Sequence, residues 1–471
     1  MIVFLNEILM DFRSCFKRER AFAWFVITII GFIVRTEGLG ITSIIRDLTL
    51  NPDLYPTYLH FFRSSAWIRQ ELEAQWIKVV VNHAPILKIC GMNILLGDGL
   101  TYGKEGRRMA CVQKHHQESE NSGKSEWVFG HLFGCVGILA GCPSGKLFCI
   151  VLSATIQVGA NKIREFADPT TELGSHVVQL IAQAGSIAMS IGPSIIVLDR
   201  YFLSVPALIE AKKYLNLQII TKCKRSITAF FDPPPYSGKG RRRKKGASVK
   251  LMSLFVTEKT KFIAATVNIY GKQQDIEYYC VDLLWGQKLY QKMRFVLVSY
   301  DDTKSILVST SLELSAVQII ELYSYRFKIE VAFKELVHTI GAWLYHFWSK
   351  YMPKLNKFDK KINIKALEAI TDVHAKKKIV ECLKAIEGYV MMALISMGLL
   401  QIFALKYSAE LNHSVFRWLR TKTNKIVSEA TMACYFRKNI FNIIAQNRHL
   451  PIMQIIIAKQ NDVILDEDLA A

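Results

Sequence analysis

The chain has 471 residues, 51% hydrophobic and 21% charged, with a formal net charge of +20. That length carries roughly two to four domains and a large core, and the composition excludes a disordered or fibrous chain. The positive excess calls for a polyanionic partner, with nucleic acid first and an anionic membrane surface second.

Two apolar runs bear on the membrane alternative. Residues 21–34, AFAWFVITIIGFIV, fall short of the ~20 residues a span needs and predict a buried helix. Residues 389–405, YVMMALISMGLLQIFAL, contain Gln401 and continue a charged helical stretch, so they predict a core helix. The start, MIVFLNEILMDF, carries acids and no basic n-region, and no cleavable signal is expected. Ten cysteines without a Cys-x-x-Cys pair suit reduced thiols in a cytosol. Cys135, Cys142 and Cys149 read as small core residues. The expectation is a cytoplasmic, nucleoid-associated protein with no membrane contact.

In chain order, residues 1–88 predict a helical N-terminal region. Its basic patch at 17–20 and its aromatic–basic mixing at 60–72 fit DNA binding or a plain helical subdomain equally. From about residue 90 the pattern changes to short apolar runs bounded by turns. NILLGD, 93–98, predicts a buried strand ending on an acid. A polar loop or flap follows at 104–127, then strands at 128–140 and 146–156. A helix is expected at 172–189, capped by Thr170 or Thr171. SIIVLD, 194–199, predicts a second buried strand ending on an acid, followed by a helix at 204–214 and a strand at 217–224. Together these predict an α/β fold, a mixed sheet with helices on its faces, over 89–225.

Residues 226–315 read as an insertion. It opens on a proline- and glycine-rich linker with the basic run Arg241, Arg242, Arg243, Lys244 and Lys245. Antiparallel strands are expected at 251–256, 262–270, 276–285, 293–300 and 305–310. The catalytic unit resumes over 316–407, with one amphipathic helix at 321–341 and a long one near 366–407. A basic helical tail, 408–471, ends the chain.

On the 321–341 helix, Tyr323, Arg326 and Glu330 point within roughly 60° of one another at ~100° per residue. A phenol, a guanidinium and a carboxylate on one stripe suit a metal and a phosphate; the plain alternative is a surface Arg–Glu pair. Asp98 and Asp199 at strand ends, with Glu330 on a helix, predict three carboxylates converging at one edge. Such a cluster needs cations, and Mg²⁺, with Mn²⁺ as a substitute, prefers hard oxygen ligands.

These residues carry a resemblance. ILLGDG at 94–99, IIVLDRYF at 195–202 and YSYRFKIEVAFKELVHTIG at 323–341 resemble the DDE transposases of bacterial insertion sequences, the IS-four family, over about 90–405. The resemblance implies a ribonuclease-H-like catalytic domain interrupted by a β insertion. It also implies Asp98, Asp199 and Glu330 as catalytic, metal-binding residues, double-stranded DNA as substrate, a homodimer on DNA, and cleavage through a hairpin. Tyr323, Arg326 and Glu330 match the signature Tyr-x2-Arg-x3-Glu-x6-Lys; Val337 stands at its lysine position, with Lys334 one turn earlier. Trp285 is a candidate base-stacking residue or a core tryptophan. A nuclease acting by hydrolysis alone, and a decayed DNA-binding copy, remain open. His115 and His116 with Glu118 form a weaker zinc candidate.

Overall fold

The computed structural model describes all residues except 39, 117–125, 171–173, 237, 239–240, 302, 357–363, 412–425 and 461–471. A mixed sheet of 13 strands forms its centre, with helices on its faces, as the α/β, ribonuclease-H-like expectation requires. The Met92–Gly103 strand pairs antiparallel with Trp127–Gly141 and parallel with Ser194–Leu198, which pairs parallel with Leu217–Lys222. Ile94, Leu95, Leu96 and Ile195–Leu198 are buried without alternation. That is what a parallel strand covered on both faces demands.

The residues read as a separate insertion extend this same sheet. Thr303–Ser309 pairs antiparallel with Leu217–Lys222, and Gln291–Tyr300, Lys272–Trp285 and Ile263–Ile269 follow outward. Without Thr303–Ser309, the Leu217–Lys222 strand would be an open edge of unpaired N–H and C=O groups. The strand expected at 251–256 is helical instead, as Leu251–Ser253 and Leu254–Thr257. Leu251, Leu254 and Phe255 are buried while Val256 is 74% exposed. That is three- and four-residue spacing, not alternation.

Both terminal regions pack into one body with the sheet. The Glu19–Val34 helix is buried nearly all round and lies against Val373–Tyr407, Glu429–Gln446 and Pro451–Ile457. Trp76, from the Arg69–His83 helix, rests on Gly398 of the long helix; a Cβ there would lie 2.2 Å from the indole. Val373–Glu410 is, among the described residues, the one helix long and apolar enough to cross a membrane. Yet 94% of its apolar window is buried inside the fold. All described cysteines are free thiols.

Candidate active site

Strand register brings the two aspartates together. Ile94, Leu95 and Leu96 pair in parallel with Ile195, Ile196 and Val197. Two residues further along the same register, Asp98 comes beside Asp199. Asp98 does not end its strand as expected. The strand runs on to Gly103 through its antiparallel ladder with Trp127–Gly141, whereas Asp199 does follow the last residue of Ser194–Leu198. The face is set by Gly97. A Cβ there would meet Leu198 and Ile196 at 2.7 and 2.8 Å and Leu180 of the His176–Ile191 helix at 3.3 Å. Asp98, the next residue, therefore points to the opposite face.

On that face lies the Glu330 helix, and it is not the single helix expected over 321–341. Ala316–Ser324 and Phe327–His338 are separated by a tight turn in which the N–H groups of Tyr325, Arg326, Lys328 and Ile329 bond three residues back. Such bonds tighten the backbone locally, and Arg326 stands at the start of the second helix. Its Nη1 donates to Asp98 Oδ2 at 3.2 Å and its Nη2 to Glu330 Oε1 at 2.5 Å. Two of the three acids are thus held on one guanidinium.

Burial sets the electrostatics first, and the neighbouring charges act on top of it. Burial pushes the Asp98 carboxyl up to about 6; Arg326 and the Gly99 N–H oppose the rise, while Asp199 and Glu330 add to it. Burial works against the Arg326 charge, but Asp98, Tyr323, Asp199 and Glu330 together raise its pKa. Tyr323 is raised too, first by burial. The donor set suits a hard divalent cation, being all oxygen. No three Asp, Glu, His or Cys side chains among the described residues are grouped to hold a metal ion; Asp98 and Glu330 meet Arg326 instead. The Arg326–Asp98 contact is at the long end of the hydrogen-bond range.

A cleft of about 300 Å³ opens beside these groups, lined by Asp199, Arg200, Lys222, Tyr270, Tyr323, Arg326 and Phe327. Sequence reasoning missed four of them: Arg200, Lys222, Tyr270 and Phe327. Arg200 directly follows Asp199. Lys222 ends the neighbouring strand. Tyr270 sits at the tip of the hairpin between Ile263–Ile269 and Lys272–Trp285, its ring 5.3 Å from Phe327. Its signal was a Tyr-Gly pair between two apolar alternations. Both tip residues have positive φ, 54° at Tyr270 and 78° at Gly271, as a two-residue hairpin turn requires.

The other expected residues lie elsewhere. Lys334 is exposed one turn beyond Glu330, and Val337 is half-buried against the core. Trp285 is half-buried at the end of its strand, outside the cleft lining. Arg241–Lys245 lie between the short paired strands Thr228–Phe230 and Ser248–Lys250. Six strand steps separate the first of these from the Asp98 strand, roughly 30 Å at strand spacing. Lys245 covers the Phe230 ring at 3.9 Å. His115 is buried against the Gly130 carbonyl and His116 faces Glu126; Glu118, the third member of the zinc candidate, lies outside the described residues.

No curated protein and no solved structure matches the chain. A family model described as DDE superfamily endonuclease matches residues 11–267, which include Asp98 and Asp199 and end before Glu330. The match covers more than half of the 471 residues, and the chain belongs to this family of DDE superfamily endonucleases.

Proposed function

We propose that the protein is a transposase of the bacterial insertion-sequence type, of the IS-four group, which cuts double-stranded DNA at its element's ends and joins those ends to a target. The observation that carries this reading is the register aligning Asp98 with Asp199 while Arg326 ties Asp98 to Glu330. Endonucleases of this superfamily act on DNA with divalent metal ions. Asp98, Asp199 and Glu330 would hold Mg²⁺ or Mn²⁺, which activates the attacking oxygen and stabilises the leaving one in an in-line displacement.

The chain's own residues supply the rest. Arg326 offers a bidentate grip on phosphate that a lysine cannot. Tyr323 and Tyr270 wall the cleft where a nucleotide displaced at a hairpin would stack. Lys222 and Lys334 add positive charge along the approach. Arg241–Lys245, far across the sheet, would grip flanking DNA about one helical turn away, contributing affinity rather than sequence choice. One cleft serves one DNA end, so paired ends call for a homodimer.

The test uses end-labelled DNA carrying the repeats that flank the gene, with Mg²⁺ and target DNA, resolved on a denaturing gel. Nicked, hairpin and joined species are expected in that order. Asp98→Asn, Asp199→Asn and Glu330→Gln should each abolish all three while DNA binding survives. Cleavage without joining would reduce the protein to a hydrolytic nuclease. Arg326→Ala should let nicked ends accumulate ahead of hairpins; equal rates of both steps would leave it a helix ion pair. Neutralising three residues of the basic run should flatten the salt dependence of binding by roughly one unit per lost contact.

A further inference from the structure

A second cleft, of about 580 Å³, is larger than the one at the acids and lies between residues 102–109 and 344–354. It continues the catalytic face. Asp98, Leu100 and Tyr102 alternate onto one side of their strand, so Tyr102 stands roughly 13 Å beyond Asp98. The size suits a small organic ligand or one nucleotide.

Its two walls are stitched together through backbone carbonyls. Buried Lys104 donates to the carbonyls of Trp343 and Tyr345, with its ammonium 3.7 Å from the Tyr345 ring centroid. Arg108 donates to the carbonyls of Lys350 at 2.6 Å and Met352 at 3.0 Å. The Ser349 and Leu355 N–H groups return to the carbonyls of Arg108 and Arg107 at 3.1 and 2.9 Å. The cleft is therefore formed before any ligand arrives.

The stitching fixes what faces outward. Tyr345, Phe347 and Ser349 are buried; His346, Trp348 and Lys350 between them are exposed. Trp348 is 56% exposed, and its carbonyl is held by Arg63 at 3.1 Å. A single exposed indole needs no explanation, but this one lines a preformed cleft with two exposed cations, Arg107 and Lys354, and one exposed acid, Glu105. Neither cation has an acidic partner among the described residues. A stacking surface with two cations against one carboxylate, Glu105, is the chemistry that takes unpaired nucleic acid without regard to sequence.

We propose that this cleft binds an unpaired nucleotide of the DNA strand leading into the active site, its base stacked on Trp348 and its flanking phosphate on Arg107 and Lys354. At 3.4 Å per stacked nucleotide, the roughly 13 Å from Asp98 to Tyr102 at the edge of the cleft corresponds to roughly four nucleotides. The assignment needs DNA as the ligand but not the joining reaction.

Fluorescence anisotropy in EDTA tests it, comparing a blunt labelled duplex, the same duplex with a four-nucleotide tail of either polarity, and the same tail without bases. Wild type should prefer the base-bearing tail by roughly 5- to 150-fold, the range for one stacked base. The abasic tail should lose that preference. Trp348→Ala should bring the ratio of the two Kd values close to one, and Trp348→Tyr should retain most of it, which also shows that the segment folds. Joint replacement of Arg107 and Lys354 by Ala should lower the salt slope by about two units on tailed DNA. Equal affinity for blunt and tailed DNA, a preference that survives Trp348→Ala, or an abasic tail that binds as well would each overturn the assignment. None of these outcomes touches the transposase reading, which fails separately if no joined product forms.

Discussion

Glu387 and Asp98 are both carboxylates set among arginines inside this fold, and their surroundings are built to opposite ends. Glu387, on the long helix, accepts from Arg164 at 2.7 Å and from the Ile156 N–H at 3.0 Å, and faces Arg69 at 3.8 Å. Glu73 takes the other side of Arg69. Two acids meet two arginines and the charge cancels. Asp98 and Glu330 share Arg326, while Asp199 lines the adjoining cleft with Arg200 and Lys222. The first cluster is complete as it stands and fastens the long helix to the Leu147–Ile156 strand and the Arg69–His83 helix. The second opens onto a cleft, with the Glu330 side chain 55% exposed where that of Glu387 is 9%, the openness that a site for a cation and a phosphodiester needs.

The strongest way to break this comparison is to remove one acid from each cluster. Glu387→Ala strands Arg69, Arg164 and a backbone N–H in the interior and should lower unfolding free energy by about 3–5 kcal/mol in a denaturant titration. Glu330 is 55% exposed at its side chain, so Glu330→Gln should cost less than about 1 kcal/mol while abolishing cleavage. Equal losses at the two positions would erase the distinction between a structural and a functional cluster.

A pH series sharpens it further. The Asp98 carboxyl moves from its ordinary 3.8 up to about 6 in the folded protein. Because the folded value is the higher, its contribution is fully present below about pH 4 and is lost as pH rises through 6. Metal-free wild type should lose on the order of 1–3 kcal/mol relative to Asp98→Asn across that window. Thermal melts of both proteins in EDTA would reveal it; parallel profiles would mean Arg326 already balances the cluster.

The smallest effect is expected at the hairpin tip. Tyr270 is 63% exposed and held at φ 54°, a conformation that favours Asn over bulky side chains. Tyr270→Asn should therefore raise stability by about 0.5–1 kcal/mol and weaken binding of hairpin DNA. A loss of stability instead would make the Tyr270–Phe327 contact part of the core.

Much of the fold was legible because the signals are local. Unbroken apolar runs marked the strands that carry Asp98 and Asp199, and three- and four-residue spacing marked the helix that carries Glu330. The misreadings were local as well. Residues 251–256 offered too few positions to separate helix from strand. The turn at Tyr325–Arg326 left no proline or glycine to mark it.

The sequence by itself determined most of the elements and which of their faces are buried, and it placed two acids on apolar strands and a third on an amphipathic helix. Only the tertiary structure decided their partners. The register that sets Asp98 beside Asp199 spans about a hundred residues, and the bond from Arg326 to Asp98 spans 228. Pairing of Thr303–Ser309 with Leu217–Lys222, which turns an apparent insertion into more of the same sheet, is equally remote. Trp348 became a surface residue only because residues 345–350 are stitched to the loop after Gly103. Periodicity reports that a face is covered; what covers it depends on contacts between distant segments, which no local pattern encodes.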